Sequence, residues 1–329
     1  MVDIELACGL PPGPQFADLA VLAEKLGFAR VWIFDSAPLW EDPFVHLALA
    51  AERTTRIGLA TAVLIPSQRS VMTMASGIAT IARLSGGRFR ACFGTGATAH
   101  WMLGQEPMRL GALFDYVGSL RQLLAGETVA IDGEAVRMMH SQDMTVSRPV
   151  NVPLWLSVLG PRGNERAPEV ADGIIGPPHP ALPSATMMSG TVLGDGESPR
   201  SNRVLNAVGP WGVLPWHTAY TSGGAAAVDA MPGGAAWRAD LEALAPPNER
   251  HLLSFEGHVT HLMARDLSLL EHLDVEGRTS AGLMMKVGDS VKIRQEIAQL
   301  AEAGYDEVIY TPAGLDVARE LTAFAQLSH

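Results

Sequence analysis

Cysteine is nearly absent from this chain of 329 residues, and the two present, Cys8 and Cys92, stand in apolar strand-like runs. A disulfide scaffold is excluded, and two separate, buried, reduced thiols are expected instead. No apolar run reaches the roughly 18 to 20 residues that a membrane span needs. MVDIELACGL carries neither a basic start nor a secretory hydrophobic core, so the expectation is a cytoplasmic globular protein with no membrane partner. Basic residues are scarce: 24 Lys and Arg face 35 Asp and Glu, for a formal net charge of -11, with no Lys/Arg cluster. Nucleic acid demands a basic face for its phosphates and is excluded as a partner. A small anion could still be held locally, by a helix N-terminus and one or two arginines.

What the chain has in quantity is apolar residue, 47% of the total, arranged in alternating periods. Strand-like runs occupy Ile4 to Ala7, Arg30 to Phe34, Ile57 to Leu64, Phe89 to Phe93, Leu154 to Val158, Gly173 to Ile175, Val204 to Val208 and Glu307 to Tyr310. Apolar residues three or four apart predict helices over Phe16 to Leu26, Phe44 to Glu52, Val71 to Leu84, Phe114 to Leu124 and Ser290 to Ala303. Eight strands alternating with helices predict a (β/α)8 barrel over residues 1 to 329. The competing arrangement, an open doubly wound sheet, lacks its Gly-rich fingerprint near the N-terminus. Two stretches break the rhythm. Residues 126 to 148 hold Asp132-Gly133 between alternating residues and predict a hairpin insertion. Residues 177 to 248, rich in Pro, Gly, Ser and Ala, predict an insertion or lid over the barrel mouth.

Barrel enzymes take their reactive groups from the carboxyl ends of the strands. Strand two ends in VWIFDSAPLW, which puts Asp35 and Trp40 there. Asp35 is a candidate catalytic and cofactor-side carboxylate, or else it caps the loop or pairs with a neighbouring arginine. Trp40 either closes the core or stacks against a ring-shaped ligand. Strand four ends in Gly94, Thr95 and Gly96, small residues that let a flat or phosphorylated ligand reach the backbone. His100 follows as the nearest titratable group, able to relay a proton or to touch substrate, or to make a purely structural bond. After strand five, Gly160, Pro161, Arg162 and Gly163 open a helix whose free N–H groups suit a phosphate. His251, His258 and His261 invite a metal reading, but no HExxH pattern or acidic ligand accompanies them, so no metal is expected.

IGLATAVLIP, ATIARLSGGRFRACFGTG, LFDYVGSLRQLLAGETVAIDGE and VPLWLSVLGPRGNERAPEVADGII together resemble the bacterial luciferase-like superfamily, in its order and spacing. The likeness covers about residues 1 to 175 and returns at VGDSVKIRQEIAQLAEAGYDEVIYTP; within the superfamily it is nearest the methylenetetrahydromethanopterin reductase group. The resemblance implies a (β/α)8 barrel that binds coenzyme F420 or FMN at the carboxyl face. It implies a non-prolyl cis peptide at Ala62-Val63, ring contacts from Asp35, Thr95 and Gly96, and a phosphate seat at Gly160, Pro161 and Arg162. It also implies a homodimer through helices two and three. Many deazaflavin relatives carry His after the strand-two Asp and Glu after the strand-four glycines. Here Ser36 and Ala97 stand in those places, which argues against a sugar-phosphate dehydrogenase. The expected activity is hydride transfer between F420 and a small organic substrate. The alternatives are an FMN monooxygenase that uses O2 and a partner flavin reductase, and a non-catalytic flavin-binding protein.

Overall fold

The computed structural model describes residues 4–141, 145, 147–273 and 284–328. Its first half runs β1 (Glu5–Leu10), α1 (Phe16–Leu26), β2 (Arg30–Ile33), α2 (Pro43–Arg53), β3 (Gly58–Thr61), α3 (Val71–Leu84) and β4 (Phe89–Phe93). Local chemistry sets the ends of these helices. Asp42 accepts the Phe44 N–H ahead of Pro43 at the start of α2, and Ser70 accepts the Thr73 N–H at the start of α3. Gly27, with φ of 85°, closes α1. The chain continues through α4 (Ala97–Met102) and α5 (Leu110–Ala125) into an antiparallel hairpin, β5 (Val129–Ile131) and β6 (Glu134–Val136). Asp132 and Gly133 turn it with positive φ at both positions, as a tight two-residue hairpin requires.

Next come β7 (Leu154–Ser157), α6 (Pro161–Arg166), β8 (Gly173–Ile175) and β9 (Ser184–Val192). Four helices follow: α7 (Asn202–Gly212), α8 (Leu214–Asp229), α9 (Gly234–Leu244) and α10 (Arg250–Leu253). The last elements are β10 (Met284–Gly288), α11 (Ser290–Glu302), β11 (Glu307–Thr311) and α12 (Val317–Ala325). Eight parallel strands close in the order β1, β2, β3, β4, β7, β8, β9, β11 and back to β1, with β10 added alongside β9. The (β/α)8 barrel read from the sequence is the architecture found.

One strand assignment is corrected. Val204 to Val208 lies in α7, because Ser201 accepts the Val204 N–H as a cap and Val204, Ala207, Val208 and Trp211 bury at helical spacing. The seventh barrel strand is β9, which falls inside the stretch expected as insertion. Its sequence, SATMMSGTV, is buried along nearly its whole length but rich in Ser, Thr and Gly, so no apolar run marks it as a strand.

Strand residues divide by their period of two. Val31, Ile33, Leu59, Phe89, Ala91 and Phe93 pack outward against helices, while Ala7, Trp32, Ala60, Cys92, Trp155, Ala185 and Ile309 fill the interior. Small and large residues interdigitate there: Trp32 and Trp155 pack with ring centroids 5.8 Å apart among three alanines. Both cysteines are buried free thiols, each pushed far above its ordinary pKa by burial. The amino ends of the strands are closed by Glu307, which accepts from Trp32 Nε1 at 2.6 Å and from Arg90 Nη1 at 2.9 Å.

Gly190 lies where β9 meets β10, with φ of 141°, and a Cβ there would stand 1.9 Å from the Lys286 carbonyl oxygen. Its own carbonyl accepts from Tyr310 at 2.8 Å. Gly190→Ala is expected to lower the unfolding free energy by about 3 kcal/mol, read from the urea midpoint.

Candidate active site

The carboxyl ends of the strands open into a cavity of about 1000 Å³, at the upper end of ordinary small-molecule sites. Its wall includes Phe34, Asp35 and Ser36 after β2, Ala62 and Val63 after β3, Gly94 to Gly96 after β4, and Val158 to Gly163 after β7. Of the residues singled out in the sequence, Asp35, Trp40, Ala62, Val63, Thr95, Gly96, Gly160, Pro161 and Arg162 all reach it.

Asp35 is 6% exposed. Its Oδ2 accepts from Arg69 Nη1 at 2.6 Å and from the Ile65 N–H at 3.3 Å. It is therefore a paired carboxylate in the cavity wall. Burial pushes its pKa above the ordinary range, against the opposing pull of Arg69. Arg69 also bonds Asp42 at 2.8 Å, so one guanidinium ties the β2 exit to the start of α2.

The Ala62-Val63 peptide is cis. Val63 leans on bare backbone: a Cβ at Gly94 would stand 2.5 Å from Val63 Cγ2. Gly96 has φ of 69°, and a Cβ there would lie 2.5 Å from Ile65 Cγ2. Side chains are thus excluded along the β4 exit by packing as well as by backbone conformation.

His100 is not in the cavity wall. Its ring is 5% exposed; Nδ1 donates to the Gly96 carbonyl at 2.7 Å, and Nε2 stands 2.8 Å from Ser67 Oγ. Both nitrogens are occupied in holding the loop, which accounts for the whole side chain. At the other rim Pro161 opens α6 and Gly163 packs against Val158. Arg162 is exposed and makes no hydrogen bond or ion pair with the described residues.

Further wall comes from Trp211 of α7 and Leu214 and Thr218 of α8, inside the stretch expected as insertion or lid, and from Phe255, His258 and Val259 beyond α10. Residues 254–260 form turns, with positive φ at Gly257 and Val259. The His258 ring is 9% exposed and packs against Phe255 at 5.3 Å and Trp40 at 6.5 Å. Burial, reinforced by the neighbouring His217, lowers its pKa to about 3, so the imidazole is neutral near pH 7. No periodic pattern marked it, because its place depends on a fold contact with Trp40, in the loop after β2 and more than 200 residues earlier in the chain.

The family model for luciferase-like monooxygenases matches residues 7–188. The 5,10-methylenetetrahydromethanopterin reductase of Methanolobus tindarius is 32% identical over 168 residues, 50% of this chain and 50% of that protein. The F420-dependent glucose-6-phosphate dehydrogenase of Nakamurella multipartita is 32% identical over 178 residues, 50% of this chain and 52% of that protein. The matched part thus spans about half the length of these curated relatives. Among solved structures, an F420-dependent secondary alcohol dehydrogenase in complex with an F420-acetone adduct superposes with a TM-score of 0.68 at 16% identity, covering 99% of this chain and 98% of that one. That likeness is one of fold.

Proposed function

The chain belongs to the luciferase-like monooxygenase family, and from that membership we propose that it is an oxidoreductase binding coenzyme F420 at the carboxyl face of its barrel. The observation that carries this reading is the shape and charge of the cavity. One side offers the backbone of Gly94 and Gly96 on either side of Thr95, where a flat ring can lie; another offers Arg162 and the first N–H groups of α6, without a competing partner among the described residues. Those two features fit a ring joined to an anionic tail. Glucose-6-phosphate dehydrogenases aligned over half the chain are F420-dependent by name.

When bound, the deazaflavin supplies a two-electron centre that exchanges hydride with substrate. The protein's part is to seat and shield it. Thr95 and Gly96 would line the ring, the Asp35 carboxylate, fixed by Arg69, would contribute to the same wall, and Gly160, Pro161 and Arg162 would hold the phosphate. Trp211, Leu214 and Thr218 close the opposite wall, so the helical segment acts as a lid that excludes water. A homodimer through α2 and α3 belongs to the same reading, supported by Val45 and Leu49 on α2, 60% and 51% exposed.

The test is a titration with F420 and, separately, with FMN, followed by tryptophan quenching. F420 is expected to bind at least about tenfold more tightly, and Arg162→Ala to weaken it by about tenfold or more. Tighter FMN binding would replace this reading with a reduced-flavin monooxygenase served by a partner reductase. Binding of neither would sink the cofactor assignment.

A further inference from the structure

Five ring side chains of the cavity wall touch in series. Phe255 stands 5.3 Å from His258, His258 6.5 Å from Trp40, Trp40 5.6 Å from Phe34, and Phe34 6.3 Å from Trp211. All five line the cavity. The chain as a whole is only 6% aromatic, so a continuous belt of rings in one wall is not what composition supplies. The outer pairs, Phe255 with His258 and Phe34 with Trp211, meet nearly edge to face, at 69° and 83°, and the two contacts of Trp40 are tilted at 37° and 41°. A wall built in this way presents both the negative faces and the positive edges of its rings, and a flat guest ring can complement either.

The belt crosses from the barrel to the helical segment. Phe34 and Trp40 follow β2, whereas Trp211 belongs to α7, and Phe255 and His258 to the turns beyond α10. The last three lie outside residues 7–188, where the family model matches.

The belt carries no charge. Among the described residues, the cavity wall holds Asp35, which Arg69 neutralises, and Arg162, which sits on the α6 loop. Burial, reinforced by His217, keeps the His258 imidazole neutral. A charged group laid against these rings would lose its water and gain no counter-ion. Trp211 adds one directional feature. It is 4% exposed, and its Nε1 is buried without a hydrogen-bond partner. An indole N–H can only donate, and a buried donor left unpaired is costly and rare, so this wall is set for a ligand that brings an acceptor atom.

We infer that the belt selects the substrate, and that the substrate is a neutral, planar aromatic compound bearing an acceptor for Trp211 Nε1. The inference rests on the F420 reading in one respect, that the other occupant of the cavity is the redox cofactor. Phe34 and Trp40 form the barrel side of the specificity surface, and Trp211, Phe255 and His258 the helical side. Each stacked or edge-to-face contact gives an aromatic guest about 2- to 12-fold in affinity beyond its buried area, a gain closed to a saturated ring of the same outline.

The test compares benzamide with cyclohexanecarboxamide, which has the same outline and the same amide, and with toluene, which has the ring and no acceptor. Dissociation constants for the full chain are measured by ligand-observed NMR, first without cofactor and then with saturating F420. Benzamide is expected to bind at least about fivefold more tightly than the saturated amide, and to keep its Kd within about twofold when F420 is present. Trp211→Phe keeps a ring and removes the N–H; it should weaken benzamide by about fivefold and leave toluene within about twofold. Trp40→Leu should cut the preference for benzamide over the saturated amide to about twofold or less. Phe34→Leu interrupts the belt at the neighbouring ring and serves if Trp40→Leu loses its thermal transition. Equal binding of the two amides, displacement of benzamide by F420, or an equal effect of Trp211→Phe on benzamide and toluene would overturn the inference. Failure of F420 to bind the unaltered protein would remove the proposed function, and is read separately because ring selectivity is measured first without cofactor.

Discussion

Arg69→Met is expected to lower the unfolding free energy by about 3–5 kcal/mol at pH 7, the range found when one partner of a buried ion pair is removed. The Asp35 side chain is 1% exposed, and among the described residues its only cationic partner is Arg69, 2.6 Å away. The substitution strands a carboxylate in the cavity wall. Asp42, on the same guanidinium but 49% exposed, can turn to water, so Asp42→Asn should change stability by no more than about 1 kcal/mol. The pH dependence separates charge from packing. Burial already holds the folded Asp35 pKa above its ordinary value, although Arg69 pulls it down. Without Arg69 the folded pKa moves further up. A carboxyl with its folded pKa above the unfolded one binds its proton more tightly in the native state, so the deficit is full above the folded pKa and shrinks as pH falls toward the ordinary carboxylate range. A deficit that stays flat from pH 7 to 4.5, measured by urea titration, would instead mean that Arg69 acts by covering the Phe44 ring, 5.5 Å below it.

The same pair shows how far the sequence could be read. Asp35 was legible as a rim carboxylate because one hydrophobic strand ends at it, and pairing with an arginine was among its expected roles; which arginine was not legible. The barrel itself was legible wherever one face of an element meets solvent: α1 and α3 run from Phe16 to Leu26 and from Val71 to Leu84 as their apolar spacing predicts. β9 was hidden because its sequence, SATMMSGTV, is broken by Ser, Thr and Gly and offers no apolar run, whereas the equally buried β11 shows one in Val308, Ile309 and Tyr310. The two histidines make the point for the site. His100 was favoured by its place four residues beyond Gly96, and that nearness is what lets its Nδ1 close on the Gly96 carbonyl. His258 reaches the cavity only through the fold, from a turn with no period to announce it.

At the opposite end of the barrel, Glu307→Gln is expected to lose about 3–5 kcal/mol while leaving the cavity untouched. The Glu307 side chain is 2% exposed and lies 2.9 Å from Arg90 and 3.5 Å from Arg30. Glutamine keeps an oxygen for the Trp32 N–H, but its amide hydrogens then face a guanidinium, donor against donor. Burial, and after it the neighbouring Arg30, already lower the Arg90 pKa, with Glu307 opposing both. Removing the carboxylate therefore leaves two like charges with less compensation inside the strand ends. Side-chain exposures of 14% for Arg30 and 18% for Arg90 let some water in, which favours the lower part of that range. Arg90 also lays its guanidinium over the Trp155 ring at 4.0 Å, so it packs as well as pairs. Glu307→Gln with Arg90→Met removes charge and counter-charge together and keeps an apolar group on Trp155. The double variant should recover at least about half of the loss. Urea unfolding of the two single variants and the double closes the cycle. A double variant as unstable as the sum of its parts would show that Glu307 and Arg90 stabilise the barrel floor independently and not as a charge pair.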